Sequence, residues 1–426
     1  MKNKTIIFFI IVVTICFLVG ASACLQKDNN ENDGILDYVL LDDGTYQVLK
    51  INDKYNYHNT VEKITIPEKF KGVKVTEIGS EAFKGQKYLK SVIIGKEIVS
   101  IGVGAFYECK YLETVEMSES VQQIGGGAFR GCNNLTTLKI PQEIDTIANY
   151  TFCDCYNLND INLHEGITSI GDGAFYNCFN LTELKIPITV NLIGPTAFYG
   201  CKKLEKVNIP DGVPEIGDST FFNCYKLTDI NIPDSVTSIG ESAFFMCKNL
   251  AQVNISINIT TIERDTFYGC ENLETLTLSN NVRKLGYRAF FKCSSLKSIY
   301  IGENVNSISN NVFAYCDNII DAVIPAIVLP YISSDNLQNI TITCGEIDSF
   351  ACSSRTSLES LTIGTKVNKI GVGAFRGCQN LTSVLFENPN GWKINQSEIL
   401  ASDLEDRLIA ASYLTDVYKN QDWYRV

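Results

Sequence analysis

The chain has 426 residues, 45% of them hydrophobic, and a formal charge of −12. Its length admits roughly three globular domains of about 150 residues, and its acidic balance argues against a general nucleic-acid binder, which needs a basic face. Two histidines, His58 and His164, stand against sixteen cysteines, so most His-dependent nucleophile, metal and acid–base arrangements lack their residues.

Lys2 and Lys4 precede an apolar run over residues 6–19, which ends in Gly20-Ala21-Ser22-Ala23-Cys24. A charged start, a short apolar stretch and small residues before a cut site make a secretory signal peptide of residues 1–23. The run falls short of the roughly 20 apolar residues of a permanent span. Cys24 stands where a lipidated cysteine would, the residues before it resemble a lipobox, and residues 24–33 read as a polar tether. Ala21 occupies a position where leucine is usual, so plain cleavage after Ala23 is the alternative. The expected product is exported to the cell surface and held on the membrane by a lipid anchor at Cys24. Removing residues 1–23 takes away two lysines and no acid, which makes the mature chain more acidic still.

Residues 34–66 read as an N-terminal β cap, because alternating apolar residues flank the turn signal Asp42-Asp43-Gly44-Thr45. Beyond it one spacing dominates. Ten cysteines from Cys109 to Cys316 recur every 23 residues. A phenylalanine lies three residues before each, from Phe106 to Phe313, and the column starts one step earlier at Phe83. A leucine lies three residues after each, from Leu112 to Leu296, with Ile319 closing. Ile-Gly pairs such as Ile170-Gly171 keep the same register, with Ala148, Glu263 and Ser309 replacing the glycine in three units. A fixed period of this size is the mark of a solenoid.

The unit FYNCFNLTELKIPITVNLIGPTA, from Phe175, shows its parts. Leu184 and Ile186 alternate with Lys185, as in a short strand with one buried face, and Pro187 ends that strand. Pro141, Pro210, Pro233 and Pro325 repeat the stop. The expected fold class is a β-rich repeat solenoid, a leucine-rich-repeat-like right-handed coil of 23-residue units with one continuous parallel sheet. It would run over residues 67–390 in about 13 coils, interrupted near 320–348, and replace the three domains by one long repeat domain. The interruption is a gap of 39 residues between Phe313 and Cys352, read as an extended coil or a bulging loop. Arg355 then holds the cysteine position, before Cys378 resumes the column. Residues 391–426 form a C-terminal cap, with Ile399, Leu400, Leu404, Leu408, Ala411 and Leu414 spaced as one amphipathic helix.

The unit AF-x-x-C-x-x-L-x-x-V-x-I-P-x-x-V-x-x-IG resembles the BspA-like leucine-rich repeats of microbial cell-surface proteins, over residues 38–426. Leu329-Pro330-Tyr331-Ile332, Ala410-Ala411-Ser412-Tyr413-Leu414 and Trp423-Tyr424-Arg425 look like features of bacterial members. The resemblance implies an exported or lipid-anchored protein, an adhesin or antigen that binds host matrix proteins or other cells.

The candidate ligand surface is the outward side of the strands. Asp160, Glu183, Lys206, Asp229 and Gln252 follow two residues after the leucines, and Lys185, Asn208, Asn231, Asn254 and Tyr300 two residues further on. This strip reads either as a solvated face or as a broad binding face. Asp160 and Glu183 are expected to meet on the sheet, but an open polar face lacks the dry pocket of a catalytic pair. The aromatics beside the cysteines, namely Tyr107, Tyr156, Phe179, Tyr199, Tyr225, Phe245, Tyr268 and Phe291, read as turn packing or as a sticky edge. Trp392 and Trp423 could pack the cap or stack on sugars, and His58 and His164 read as ordinary surface residues. Buried thiol packing is preferred to disulfides for the cysteine column, since stacked coils do not give the crossed geometry of a disulfide. Cys153-Asp154-Cys155 is a weak metal signal. No catalytic residues, metal or cofactor are expected, and no enzyme activity. The expected partners are an extracellular protein or glycan ligand and the membrane, not nucleic acid. The leading function is a surface-displayed adhesin; the alternative is a structural spacer of the envelope.

Overall fold

In the computed structural model, residues 34–56 and 61–426 are described. The signal peptide, the tether with Cys24, and His58 lie outside the described residues. The chain divides into two compact units, residues 1–144 and 145–426.

The first unit opens with the hairpin. Leu36–Leu40 pairs antiparallel with Tyr46–Ile51 around the expected turn. Asp43 fixes that turn by accepting from the Thr45 amide at 2.9 Å and its hydroxyl at 2.7 Å, and Gly44 takes φ +82°, a left-handed conformation suited to glycine. Tyr46–Ile51 then pairs parallel with Val73–Ile78, so the hairpin covers the open edge of the first coil.

Each coil contributes strands to two faces. In the first unit Lys63–Ile66, Ser91–Ile94 and Thr114–Glu116 make one parallel ladder, and Val73–Ile78, Ser100–Ile101 and Gln123–Ile124 the other. In the second unit the register is again one repeat, Glu183 facing Lys206 and Ile216 facing Ile239. The fold is thus the expected β-solenoid of 23-residue coils, but its sheet is not a single continuous one. Separate ladders on two faces replace it, some only two strands wide, such as Glu183–Leu184 with Lys206–Val207 and Glu215–Ile216 with Ser238–Ile239, whereas a nine-stranded sheet includes Thr275–Leu278 and Ser383–Phe386. The physical reason is visible at Asn208. Its side-chain amide accepts from the Ile186 backbone N–H at 3.1 Å and donates to the Ile186 carbonyl at 2.9 Å, taking the place of a ladder rung. Pro187 and Pro210 follow directly and have no donor to continue.

The core is built of self-stacking columns. Phe83, Phe106 and Phe129 stack in the first unit, and the rings from Phe152 to Phe313 in the second, with centroids 5.1–5.7 Å apart. All of them are fully buried. Beside them thiols donate to the carbonyl of the phenylalanine one coil back, as Cys109 to Phe83 at 2.9 Å and Cys247 to Phe221 at 3.1 Å. Cys178, Cys201, Cys224 and Cys270 repeat the contact. This is the packing role rather than a disulfide column, and it satisfies a buried carbonyl at each of these coils.

The corner glycines are set by close approach. A Cβ on Gly240 would lie 2.6 Å from the Asp218 backbone nitrogen and 2.8 Å from the Gly217 carbonyl carbon, so neighbouring coils leave no room for a side chain.

The interruption is neither a loop nor one long coil. Asp321–Ile324 pairs with Asn339–Ile347, and that strand with Ser360–Ile370. The gap therefore contains an additional, shorter coil. Pro325 starts a 3-10 helix, Ala326–Tyr331, which buries Ala326, Val328 and Leu329 in place of the phenylalanine turn. Arg355, at the cysteine position, donates to the Ser334 and Ile332 carbonyls, so a guanidinium does the thiol's work.

In the C-terminal cap the expected single amphipathic helix is two, Ala401–Glu405 and Arg407–Ser412, followed by a π-helical turn, Tyr413–Val417. Asp406 leaves helical geometry and caps the second helix, accepting from the Leu408 and Ile409 amides at 2.9 and 3.1 Å. The break turns Leu400 and Leu408 outward while Leu404, Ala411 and Leu414 stay buried. Trp392 and Trp423 are fully buried, 6.4 Å apart, against Phe386. They pack the cap and offer no ring face to a sugar.

Candidate functional site: the exposed strand and turn faces

Alternation on the strands decides what the outside presents. Asp160–Asn162 and Asp229–Asn231 each bury the central isoleucine and expose both flanking polar residues. All ten strip residues are exposed, from Asp160 through Glu183, Lys185, Lys206 and Asn208 to Asp229, Asn231, Gln252, Asn254 and Tyr300. Their neighbours are set by register: Asp229 beside Gln252, Asn231 beside Asn254, and Thr277 beside Tyr300. Asp160 and Glu183 lie one coil apart on strands that touch, as expected, and on its other side Glu183 pairs in register with Lys206. Asn208 is exposed but its amide is committed to Ile186.

The turn face carries an aromatic column only half legible from sequence. Tyr176, Tyr199, Phe222, Phe245, Tyr268 and Phe291 stack face to face at 4.4–4.9 Å. Four of the aromatics singled out above, Tyr199, Phe245, Tyr268 and Phe291, belong to it; Tyr176 and Phe222 were missed. The signal was the residue directly after each core phenylalanine. Tyr156 and Phe179 form a separate stack at 4.7 Å, with the Lys202 ammonium 4.0 Å from the Phe179 ring centre. Rings stacked face to face cover one another and show water mainly their edges, which is turn packing. Burial, with Tyr199 beside it, pushes the Tyr176 phenol up to about 12.

His164 accepts from the Gly166 amide at 3.1 Å in a tight turn. Among the described residues no three His, Cys, Asp or Glu converge as metal ligands, and no helix is long and apolar enough to cross a membrane. A shallow crevice between the last coil and the C-terminal cap, lined by Ile370, Phe375, Leu414, Tyr418 and Trp423, lies half open to solvent and holds no room for a small molecule. The chemistry on offer is that of open polar and aromatic surfaces.

A family model described as a BspA type leucine rich repeat region (6 copies) matches residues 76–205, 191–320 and 331–412. The chain is similar to the crystal structure of a leucine-rich repeat protein from Bacteroides ovatus, at 24% identity over 83% of this chain and 94% of that one, with a TM-score of 0.53. The pneumococcal vaccine antigen PcpA is similar at 19% identity over 80% and 93%, with a TM-score of 0.50. These two likenesses bear on the fold. A leucine rich cell surface protein from Faecalibacterium prausnitzii is 26% identical over 68% of this chain and 93% of that one, at a TM-score of 0.46. No curated protein matches the chain.

Proposed function

Because the chain belongs to the BspA-type leucine-rich repeat family, we propose that it is a surface-displayed binding protein, an adhesin that recognises host or microbial surface macromolecules through its solenoid face. The observation that carries this reading is the strip of exposed polar residues in fixed register, such as Asp229, Asn231, Gln252 and Asn254. Rows of polar side chains at coil spacing suit an extended macromolecular surface and exclude no water, so the reading is one of binding and not of catalysis. Retention at the membrane belongs to the same proposal, with Cys24 as the lipid-bearing residue.

The full chain, produced in a bacterial cell, is expected to sediment with membranes, and Cys24→Ala to release it to the medium. Equal sedimentation of both forms would remove the anchor. The chain without residues 1–23 is expected to attach to host-cell layers or immobilised matrix proteins. Converting Asp229 and Gln252 together to Ala should weaken attachment about tenfold, the loss of one strong contact. Unchanged attachment would remove the strip as the binding face. Self-association with no attachment at all would put a structural spacer in the adhesin's place.

A further inference from the structure

Tyr88 and Tyr111 differ from the other rings of the molecule. They hold one position in successive coils, on the turns that lead into Ser91–Ile94 and Thr114–Glu116. They are 48% and 55% exposed, and among the described residues no other exposed aromatics share a position in successive coils. Neither ring stacks on another or joins a side-chain hydrogen bond, whereas Phe83 and Phe106 of the same two coils stack at 5.1 Å. In the next three coils the position holds Asn134, Asn157 and Asn180, and the Asn180 amide donates to Asn157 at 2.9 Å. Tyrosine gives up that bridge between coils and leaves two large rings in water, the kind of local departure that marks a functional site. The charges beside the rings nearly cancel. Lys110 pairs with Glu108 at 3.7 Å and Lys90 with Glu62 at 3.0 Å, while Lys87 and Glu113, one of each sign, have no ion-pair partner within 4.0 Å among the described residues.

We propose that Tyr88 and Tyr111 form a stacking platform for a neutral glycan, a chain of pyranose sugars that lies against the two rings. The proposal rests on the binding reading above and adds to it a ligand class and a site on the turn side. Coils stand about 4.8 Å apart, close to the length of one pyranose unit, so a glycan running across the coils meets successive rings with successive sugars. The C–H face of a pyranose is apolar and its rim carries hydroxyls, which suits an aromatic ring with a polar tip. Lys87, adjoining Tyr88, supplies donors to those hydroxyls, and Glu113, two residues past Tyr111, an acceptor. One unpaired charge of each sign gives no preference for a charged ligand. A protein partner fits less well. Its strongest contacts sit in a dry centre within about 800 Å² of covered surface, and that centre is depleted of charged residues. Here Lys87, Lys110 and Glu108 are all exposed beside the rings.

The test uses immobilised dextran, mannan, galactan and chitin, with chondroitin sulfate as the charged arm. The chain without residues 1–23 should be held by at least one neutral glycan, and salt raised to about 1 M, where the Debye length is about 3 Å, should not release it. Tyr88→Ala with Tyr111→Ala should lower the affinity about tenfold or more, with an unchanged melting temperature. Tyr88→Phe with Tyr111→Phe keeps both ring faces and should stay within about threefold. Tyr315→Ala, which removes an exposed ring elsewhere, should change affinity less than about twofold. Release by salt, no loss in the double alanine variant, or an equal loss in Tyr315→Ala would overturn the platform. Stronger retention on chondroitin sulfate than on any neutral glycan would overturn the choice of a neutral ligand. Cell attachment that survives enzymatic removal of surface glycans but falls in the double alanine variant would give the platform to a protein instead. A chain that attaches to cells yet ignores every neutral glycan ends this inference and leaves the adhesin reading; one that holds a glycan through the two rings but attaches to no cell ends the adhesin reading alone.

Discussion

Raising the pH from 8 to 10 is expected to strip the second unit of stability on the order of 14 kcal/mol, about 2 kcal/mol for each of seven buried thiols that ionise only when unfolded. Burial raises the thiols of Cys178, Cys224, Cys247, Cys270 and Cys293 well above their ordinary value. It pushes Cys352 up to about 12 and Cys378 to about 11. The unfolded chain loses these protons from about pH 8.5 upward, while the native chain keeps them. Above that pH the native state binds more protons, so stability falls as pH rises; below it the contribution is fully present. Urea midpoints measured at intervals between pH 7 and 10.5 give the slope. Cys224→Ala and Cys247→Ala should each flatten it by about 2 kcal/mol over the interval, whatever they cost at pH 7 through the lost thiol–carbonyl bond. An identical slope in the variants would show that the thiols do not drive it.

Phe221→Ala is expected to cost about 3–5 kcal/mol, the usual penalty for an aromatic ring deleted from a tight core. Phe221 is fully buried, with the rings of Phe198 and Phe244 each 5.4 Å away. Its removal leaves a void facing both neighbours. In a repeat array each coil is stabilised mainly by the two beside it, so the loss falls on two interfaces at once. Hydrogen exchange should place the opening in residues 198–244, and denaturation should lose its single transition. Phe222→Ala, one residue on, removes a half-exposed rung of the turn-side stack and is expected to cost about 1 kcal/mol. Similar penalties for the two would mean that the inner column is no core.

Much of this protein is legible in one dimension because its contacts are. A residue's principal neighbour is the same position one repeat away, so the columns headed by Phe83, Cys109 and Leu112 announce the stacking directly. The period gave the coil, its apolar side, and the outward positions from Asp160 to Tyr300. Lateral relations within a coil carry no such echo. That two faces hold strands follows from how each turn bends back, and the Asn208 amide ends a rung only because the fold brings it to Ile186. The interruption misled because its additional coil is shorter than the repeat, which a fixed period cannot count. The Asp406 cap looks like any acidic residue in a helical pattern until its side chain meets the next amides. Asp265 and Arg288 hold the same position one repeat apart, so coil stacking sets one charge against the other, with Arg264 adjoining in sequence. Sequence alone determined the repeat and its inside; the tertiary structure decided which unlike residues share the outside, because charges and rings act through space and the period speaks only along the chain.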